Sequence, residues 1–331
     1  MGKASVKHLL QIENLSKTFP ITNTNSLFRK EKVKAVENVS FNIQEGKTVG
    51  LVGESGSGKT TIGRMIIRLL QPDNGRILFE EHDLASMNRK EFRAMQPKIQ
   101  MVFQDPYSTL NPRLTLKQII QEPMKLNAKL LNEDIDERTH RLMKVVGLNE
   151  NQLDRFAHEF SGGQRQRIAI CRALALNPQL IVCDEAVSAL DVSIQAKILN
   201  LLMDLQQKLN PAYLFISHDL SVVRLVSDTI VVLYLGKVME IGPAAELTDN
   251  PLHPYTKALM SAVPDPYSRN RIKILKGEIP GNIKPPSGCR FHTRCSKAFE
   301  RCKSKIPALV EISSDRKTAC FLHHNKEEKQ F

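Results

Sequence analysis

Short apolar runs of strand length alternate along the chain with segments of helical periodicity. The runs that predict strands are residues 39–43, 48–52, 99–103, 180–183, 213–216 and 230–235. The segments that predict helices are residues 60–70, 164–175 and 194–208. Strands that are apolar throughout, interleaved with helices, predict an α/β fold whose central strands are parallel and buried.

Three other stretches depart from this alternation. Residues 9–19 predict a strand that ends in a turn, and the polar residues 22–34 predict an exposed loop. Residues 105–160 have helical periodicity and almost no strand signal, which predicts a helical insertion. Near the C-terminus, prolines break up any long helix and four of the six cysteines follow. We therefore predict one domain over residues 1–250 and a separate C-terminal module over residues 251–331.

A glycine-rich stretch provides the first candidate chemistry. Residues 53–60 read GESGSGKT, which fits the pattern G-x-x-x-x-G-K-[ST] between a predicted strand and a predicted helix. The glycines let backbone N–H groups turn inward around phosphate oxygens, and the helix N-terminus adds a favourable dipole. The lysine is expected to reach the β- and γ-phosphates, and the threonine hydroxyl to face Mg²⁺. The residues predicted to bind nucleotide are Gly53, Glu54, Ser55, Gly56, Ser57, Gly58, Lys59, Thr60 and Thr61.

Two carboxylates end the predicted strand at residues 180–183. Asp184 is placed to hold Mg²⁺, and Glu185 is placed to orient or deprotonate an attacking water molecule. An acidic strand end is common in proteins and means little by itself. In a chain that also carries a phosphate loop, the pair favours nucleotide hydrolysis.

Composition excludes several classes of protein. The 331 residues are 41% hydrophobic and 25% charged, which is typical of globular domains and not of disordered, collagenous or coiled-coil chains. No apolar run approaches the roughly 18 residues needed to cross a bilayer, and the N-terminus lacks a secretory signal. We therefore expect a cytosolic chain with reduced thiols. The formal net charge of +12 is compatible with nucleic acid, anionic lipid, phosphate ligands or a solvated basic face.

Residues 160–164 read FSGGQ and point to one family. The motif resembles the signature of ATP-binding-cassette (ABC) ATPases, usually LSGGQ, with Phe160 in place of leucine. The resemblance implies a P-loop NTPase fold in which a RecA-like core carries an antiparallel β subdomain and a helical subdomain at about residues 105–165. It also implies that the signature closes on the γ-phosphate held by the partner subunit's phosphate loop. The residues that would make this contact are Ser161, Gly162, Gly163 and Gln164.

The other motifs of that family follow in order. Gln104 corresponds to the glutamine of the loop that reports on Mg²⁺ and water to the transmembrane partner. Residues 188–191 correspond to the loop at the dimer interface, which ends in Asp191. His218 corresponds to the switch histidine that contacts the γ-phosphate. A lone histidine after a strand is more often structural, but the ordered set favours the functional role. The resemblance thus implies that Gln104, Glu185 and His218 are catalytic.

An aromatic residue near the N-terminus completes the set. Phe19 falls where the family places a side chain that stacks on adenine, although a phenylalanine after a strand usually belongs to the core. The resemblance covers roughly residues 8–250 and implies ATP and Mg²⁺ as cofactors, with Thr60, Gln104 and Asp184 at the metal.

Three further segments are similar to the branch of this family that imports oligopeptides and dipeptides. They are the extended glutamine loop at residues 104–113, the sequence HPYTKAL at residues 253–259 and the sequence GCRFHTRC at residues 288–295. The last of these resembles the second ATPase subunit of such importers. The implied function is an ATP-hydrolysing subunit that powers peptide import. Nickel or glutathione importers, and soluble ABC ATPases acting on nucleic acid or ribosomes, remain alternatives.

This branch implies particular partners. They are a second, homologous ATPase in a heterodimer, two transmembrane permease subunits and, indirectly, an extracellular or periplasmic peptide-binding protein. The chain is then expected to be peripheral on the cytoplasmic face of the membrane. No nucleic-acid partner is expected, because we recognise no second cassette, long coiled-coil insertion or nucleic-acid-binding module.

The C-terminal cysteines suggest a second cofactor. Cys289, Cys295, Cys302 and Cys320 are separated by 5, 6 and 17 residues and lack the short C-x₂₋₄-C knuckle typical of zinc sites. Four thiolates are compatible with a [4Fe–4S] cluster, with which the family branch is associated. Zinc and free thiols remain alternatives, whereas disulfides are disfavoured in a reducing cytosol.

Overall fold

The computed structural model describes residues 8–22, 30–262, 280–281 and 283–324. The contacts within the chain divide it into two compact units. The first consists mainly of Ile43–Thr48 and Ser86–Ile216, and the second of Leu10–Asn42, Val49–Ala85 and the chain from Ser217 onward.

Strands and helices alternate through most of the described chain. The strands are β1 (His8–Thr22), β2 (Lys30–Gln44), β3 (Thr48–Val52), β4 (Asn74–Phe79), β5 (His82–Asp83), β6 (Ile99–Val102), β7 (Leu180–Asp184), β8 (Ala212–Ser217), β9 (Thr229–Tyr234), β10 (Lys237–Pro243), β11 (Val310–Ser313) and β12 (Arg316–Thr318). The α-helices are α1 (Lys59–Ile66), α2 (Arg89–Met95), α3 (Pro106–Thr109), α4 (Leu116–Leu126), α5 (Ile135–Val146), α6 (Gly162–Leu174), α7 (Val192–Leu209), α8 (Leu220–Val226), α9 (Ala244–Asp249), α10 (Pro254–Ser261) and α11 (Glu300–Ser304). Single 3₁₀ turns occupy Gln96–Lys98, Ala128–Leu130, Glu150–Gln152, Ala157–Glu159, His292–Arg294 and Phe321–His323.

Parallel strands form the centre of the first unit. Strand β7 lies between β6 and β8, with Ile99 opposite Leu180 and Val182 opposite Leu214. Every residue of β7 and β8 is buried, because parallel strands with helices on both faces leave no wet side. The strands predicted at 99–103, 180–183 and 213–216 are thereby confirmed, with small changes at their ends.

Helices make up the rest of the first unit. Helices α4, α5 and α6 pack on one another through amphipathic faces, and α6 also packs on β6. Between residues 105 and 160 the only β pairing is an isolated bridge between Thr115 and Phe156. The helical periodicity of this stretch therefore produces helices in the structure.

Two sheets make up most of the second unit. One follows the order β2-β1-β4-β5, with antiparallel pairing of β1 with β4 and of β4 with β5. In the other, β3 runs parallel to β9, and β9 continues through the antiparallel strands β10, β12 and β11. Strand β3 coincides with the predicted strand at residues 48–52. The glycine-rich stretch begins directly after the last residue of this strand.

The predicted loop at residues 22–34 is wrong in its second half. Strand β2 already begins at Lys30, and residues 23–29 lie outside the described part of the chain. The error has a simple cause. Strand β2 has a polar, exposed face, so its charged residues masked the alternation that a half-buried antiparallel strand needs.

The segment after residue 250 adds strands to the second unit. Strand β12 pairs with β10, with Glu240 opposite Thr318 and Ile241 opposite Lys317. The Glu240 side chain is completely buried, and it accepts hydrogen bonds from Arg316 Nη2 (2.9 Å) and from the backbone N–H groups of Leu252 and His253 (2.9 Å each). A single buried carboxylate therefore joins β10, β12 and the chain that leads into α10.

Replacing Glu240 with alanine should destabilise the fold by about 3–5 kcal/mol, because the Arg316 charge would remain buried without its partner. Glu311→Ala, on the exposed face of β11, is the matched control and should change the free energy of unfolding by less than about 0.5 kcal/mol. Chemical denaturation of both variants measures the difference. Equal stability of the two variants would contradict the role given to Glu240.

Candidate functional site

The phosphate loop joins β3 to α1 and depends on glycine at several positions. Gly53, Gly56 and Gly58 have φ angles of 155°, 76° and 99°, a region that side-chain-bearing residues rarely adopt. A Cβ atom on Gly53 would lie 2.2 Å from the Leu233 carbonyl oxygen, and one on Gly58 would lie 2.3 Å from the Ala35 carbonyl oxygen. Both the backbone conformation and the close approach of other chain segments therefore require glycine.

Lys59 is held within this loop. Its side chain is largely buried, and Nζ donates hydrogen bonds to the carbonyl oxygens of Gly53 (2.7 Å) and Glu54 (3.1 Å). A longer contact of 3.5 Å reaches the Ser57 hydroxyl. The ammonium group thus lies beside the first residues of the loop, and Thr60 and Thr61 follow it in the first turn of α1.

Glu54 is bound by residues distant in sequence. Its carboxylate accepts a bidentate pair of hydrogen bonds from Arg294, at 2.7 Å to Oε2 and 3.1 Å to Oε1. Its backbone N–H donates to the Tyr255 hydroxyl at 3.0 Å. The hydrogen bonds to Glu54 raise the pKa of Arg294 above its already high usual value. Sequence reasoning missed Arg294 and Tyr255 as neighbours of the loop, although both lie inside motifs singled out for other reasons.

The acid pair lies at the end of β7 in the first unit. Asp184 is the last residue of the strand and is 2% exposed, and Glu185 follows it at a φ of +46°. Such a left-handed conformation is costly for a residue with a side chain and concentrates at functional sites. The Glu185 backbone N–H donates a hydrogen bond to the Ile216 carbonyl oxygen at 2.9 Å. Gln104 Nε2 donates to Glu185 Oε2 at 2.9 Å, so the structure brings the predicted glutamine and the predicted base together.

The FSGGQ segment forms the N-terminus of α6. The exposed Ser161 caps the helix: its hydroxyl accepts from the Gln164 N–H (3.4 Å), and Gln164 Oε1 accepts from the Ser161 N–H (3.0 Å). A Cβ atom on Gly163 would lie 2.5 Å from Ile194 Cγ2 of α7, which explains the second glycine. Phe160 is buried, and the Arg155 guanidinium carbon lies 5.0 Å from the centroid of the Phe160 ring. The departure from leucine therefore falls at a core position.

The remaining predicted residues are distributed over the two units. Asp191 is exposed at the start of α7, and His218 is exposed just after β8. Phe19 in β1 is half-buried, with Lys17 Nζ 5.8 Å from its ring centroid, so it is not a core residue. The phosphate loop, Phe19 and His218 belong to the second unit, and the acid pair, Gln104, the signature and Asp191 belong to the first.

The four C-terminal cysteines line one cavity of about 20 Å³, called here the four-cysteine cavity: Cys289, Cys295, Cys302 and Cys320. His253 and His292 line it as well. Burial raises the pKa of Cys289 to about 12 and of Cys320 to about 11, and lowers that of His253 to about 3. Among the described residues, no group of three or more His, Cys, Asp or Glu side chains is placed to hold a metal ion.

The other two cysteines, Cys171 in α6 and Cys183 in β7, are also buried, and neither lines this cavity. In the part of the chain that the structure describes, no helix combines the length and the apolar character needed to cross a bilayer.

Comparison with known proteins adds sequence relatives to this geometry. Residues 36–188 match the family described as ABC transporter, and residues 239–302 match the C-terminal region of oligopeptide/dipeptide transporters. The oligopeptide transport ATP-binding protein AppF of Bacillus subtilis is 49% identical over 330 residues, which is 98% of this chain and 100% of that protein. The probable peptide ABC transporter ATP-binding protein y4tS of Sinorhizobium fredii is 49% identical over 94% of this chain and 89% of that protein.

Solved structures agree on the fold. The cassette MJ0796, as a post-hydrolysis dimer bound to ADP and phosphate, superposes with a TM-score of 0.62 at 29% identity, over 71% of this chain and 98% of that chain. CbiO1 from Clostridium perfringens, part of the transporter complex CbiONQ, gives a TM-score of 0.62 at 27% identity, over 73% of this chain and 91% of that chain. The predicted P-loop NTPase cassette fold is confirmed.

Proposed function

The chain belongs to the ABC ATPases of the oligopeptide and dipeptide transporter type, and we propose that it powers the uptake of peptides through a membrane transporter. As an ABC ATPase it hydrolyses ATP. The observation that carries the proposal is the combination of two parts in one chain. A cassette with every nucleotide motif intact is followed by the C-terminal region found in oligopeptide and dipeptide transporters.

The phosphate loop supplies most of the nucleotide contacts. Backbone N–H groups at the N-terminus of α1 receive the phosphate oxygens, and Lys59 exchanges its bonds to loop carbonyls for bonds to the β- and γ-phosphates. Phe19, half-buried beside Lys17, offers a ring face for adenine. The Thr60 hydroxyl and the Asp184 carboxylate are the hard oxygen donors that Mg²⁺ prefers. When bound, Mg²⁺ neutralises charge that develops on the β- and γ-phosphate oxygens.

Glu185 acts on the water molecule that attacks the γ-phosphate. Its carboxylate orients the water and takes up a proton, and the hydrogen bond from Gln104 fixes that carboxylate in place. His218 contacts the γ-phosphate. Catalysis of this kind is positioning together with charge neutralisation, which is why no covalent nucleophile is needed.

Hydrolysis requires a second cassette. Ser161 and Gly162 are exposed at the head of α6, where helix N–H groups form an anion site for a nucleotide held by another subunit. The partner is a homologous ATPase, and two permease subunits carry the peptide across the membrane. The pair works at the cytoplasmic face, and a peptide-binding protein delivers cargo from outside.

The four-cysteine cavity is proposed to hold a [4Fe–4S] cluster. Two features support this: all four cysteines line one small cavity, and their spacing lacks the knuckle that zinc sites use. Among the described residues the four thiols are not arranged around a metal position, so cluster binding would have to draw them together. Burial makes the thiolate forms of Cys289 and Cys320 costly, and the positive charge of a bound cluster would offset that cost.

ATP hydrolysis by the assembled transporter tests the function. In lipid, with the second ATPase and the permeases, activity should rise several-fold when peptide-loaded binding protein is added. Glu185→Gln should bind ATP normally but reduce turnover by at least about 100-fold, because the water loses its base. Full activity of the isolated chain, unaffected by membrane partners, would contradict the proposal. If ATP hydrolysis were stimulated only by binding protein loaded with nickel or glutathione, that cargo would take the place of peptide in the proposed function.

Anaerobic purification tests the cluster. We expect about four iron and four sulfide per chain, a broad visible absorbance and their loss in Cys320→Ser. Cys171→Ala is the matched control, since Cys171 is buried in α6, and it should retain the iron. A colourless, iron-free protein would refute the proposed cluster. One zinc ion per chain would instead identify the four-cysteine cavity as a zinc site.

A further inference from the structure

Two side chains from the C-terminal part of the second unit bind one residue of the phosphate loop. The Arg294 guanidinium donates hydrogen bonds to both carboxylate oxygens of Glu54, and the Tyr255 hydroxyl accepts a hydrogen bond from the Glu54 backbone N–H. The Arg294 side chain is 5% exposed and that of Glu54 is 20% exposed. A bidentate, charge-assisted pair of this kind fixes the relative geometry of its two side chains better than a surface ion pair with one contact does.

The groups that bind Glu54 are themselves fixed by packing. Tyr234, Tyr255 and Phe291 are almost completely buried, with ring centroids 4.6, 5.4 and 5.2 Å apart. Arg294 Nη1 lies 3.3 Å from the Tyr234 hydroxyl, and its guanidinium lies 5.9 Å from the Tyr234 ring centroid. The arginine therefore has little freedom to move away from the loop.

Lys59 is bound to the same loop residue. Its ammonium donates to the carbonyl oxygens of Gly53 and Glu54, the residue that Arg294 and Tyr255 hold. The loop also contains three glycines at positive φ, which would gain much backbone freedom if Glu54 were released. An unpaired Glu54 carboxylate would in addition repel the phosphates. Both effects would weaken nucleotide binding.

We propose that Arg294, assisted by Tyr255, is a positioning residue for nucleotide binding: it fixes the phosphate loop through Glu54 and neutralises the Glu54 charge. Arg294 directly precedes Cys295, so the segment that lines the four-cysteine cavity also prepares the nucleotide site. This inference rests on the proposed function only in that the loop binds a nucleotide.

Nucleotide affinity of the purified full-length chain tests the proposal, measured by titration with MgATP and MgADP. Arg294→Ala should raise Kd by about tenfold or more, and Arg294→Lys, which keeps the charge but not the fork, by about threefold. Arg301→Ala is the matched control, because Arg301 also directly precedes a cysteine of the cavity but packs on the Phe321 ring. The nucleotide Kd of this variant should equal that of the wild type. In the Glu54→Gln background, Arg294→Ala should cost less than in the wild type.

Two further readouts separate positioning from a general loss of structure. Tyr255→Phe removes only the hydroxyl that accepts the Glu54 N–H, and it should raise Kd by about threefold even if Arg294→Ala fails to fold. In the assembled transporter, Arg294→Lys should raise KM for ATP more than it lowers kcat. Kd values within twofold of the wild type for both Arg294→Lys and Tyr255→Phe would overturn the inference. A wild-type chain that binds no nucleotide would instead overturn the proposed function.

Discussion

The pairing of Arg294 with Glu54 joins the C-terminal segment to the phosphate loop within the second unit. Strand β9 contributes Tyr234, helix α10 contributes Tyr255, and the segment between two cysteines contributes Arg294 itself. A largely buried charge pair is stable only when its geometry is good and its other hydrogen bonds are satisfied. The aromatic packing and the Tyr234 hydroxyl provide that environment, so the C-terminal segment and the phosphate loop are parts of one packed structure.

A different constraint operates in the first unit. The backbone at Glu185 is left-handed directly after a buried strand, and its N–H is tied to the Ile216 carbonyl. The fold thereby turns the chain at the strand end and presents the Glu185 carboxylate to Gln104. Helix α6 begins with a reciprocal cap that leaves Ser161 exposed. Ser161 and Glu185 are thereby left at least partly accessible, as their proposed roles in nucleotide binding and hydrolysis require.

Local sequence patterns predicted much of this arrangement. Strand β3, the phosphate loop and the parallel strands β6–β8 follow from apolar runs and glycine spacing, since these depend on neighbours in sequence. The partner of Glu54 could not be predicted, because Arg294 lies 240 residues away and no local pattern encodes such a contact. Strands β11 and β12 were missed for the same reason: they are short, and their pairing with each other and with β10 is what makes them strands.

The most direct test is a structure of the full chain with Mg²⁺ and a non-hydrolysable ATP analogue. The account predicts β- and γ-phosphate oxygens within about 2.7–3.2 Å of Lys59 Nζ and of the loop N–H groups, while Arg294 remains paired with Glu54. A nucleotide bound away from residues 53–60 would contradict the assignment of the phosphate loop. A bound nucleotide with Glu54 released from Arg294 would contradict the idea that this pair prepares the loop.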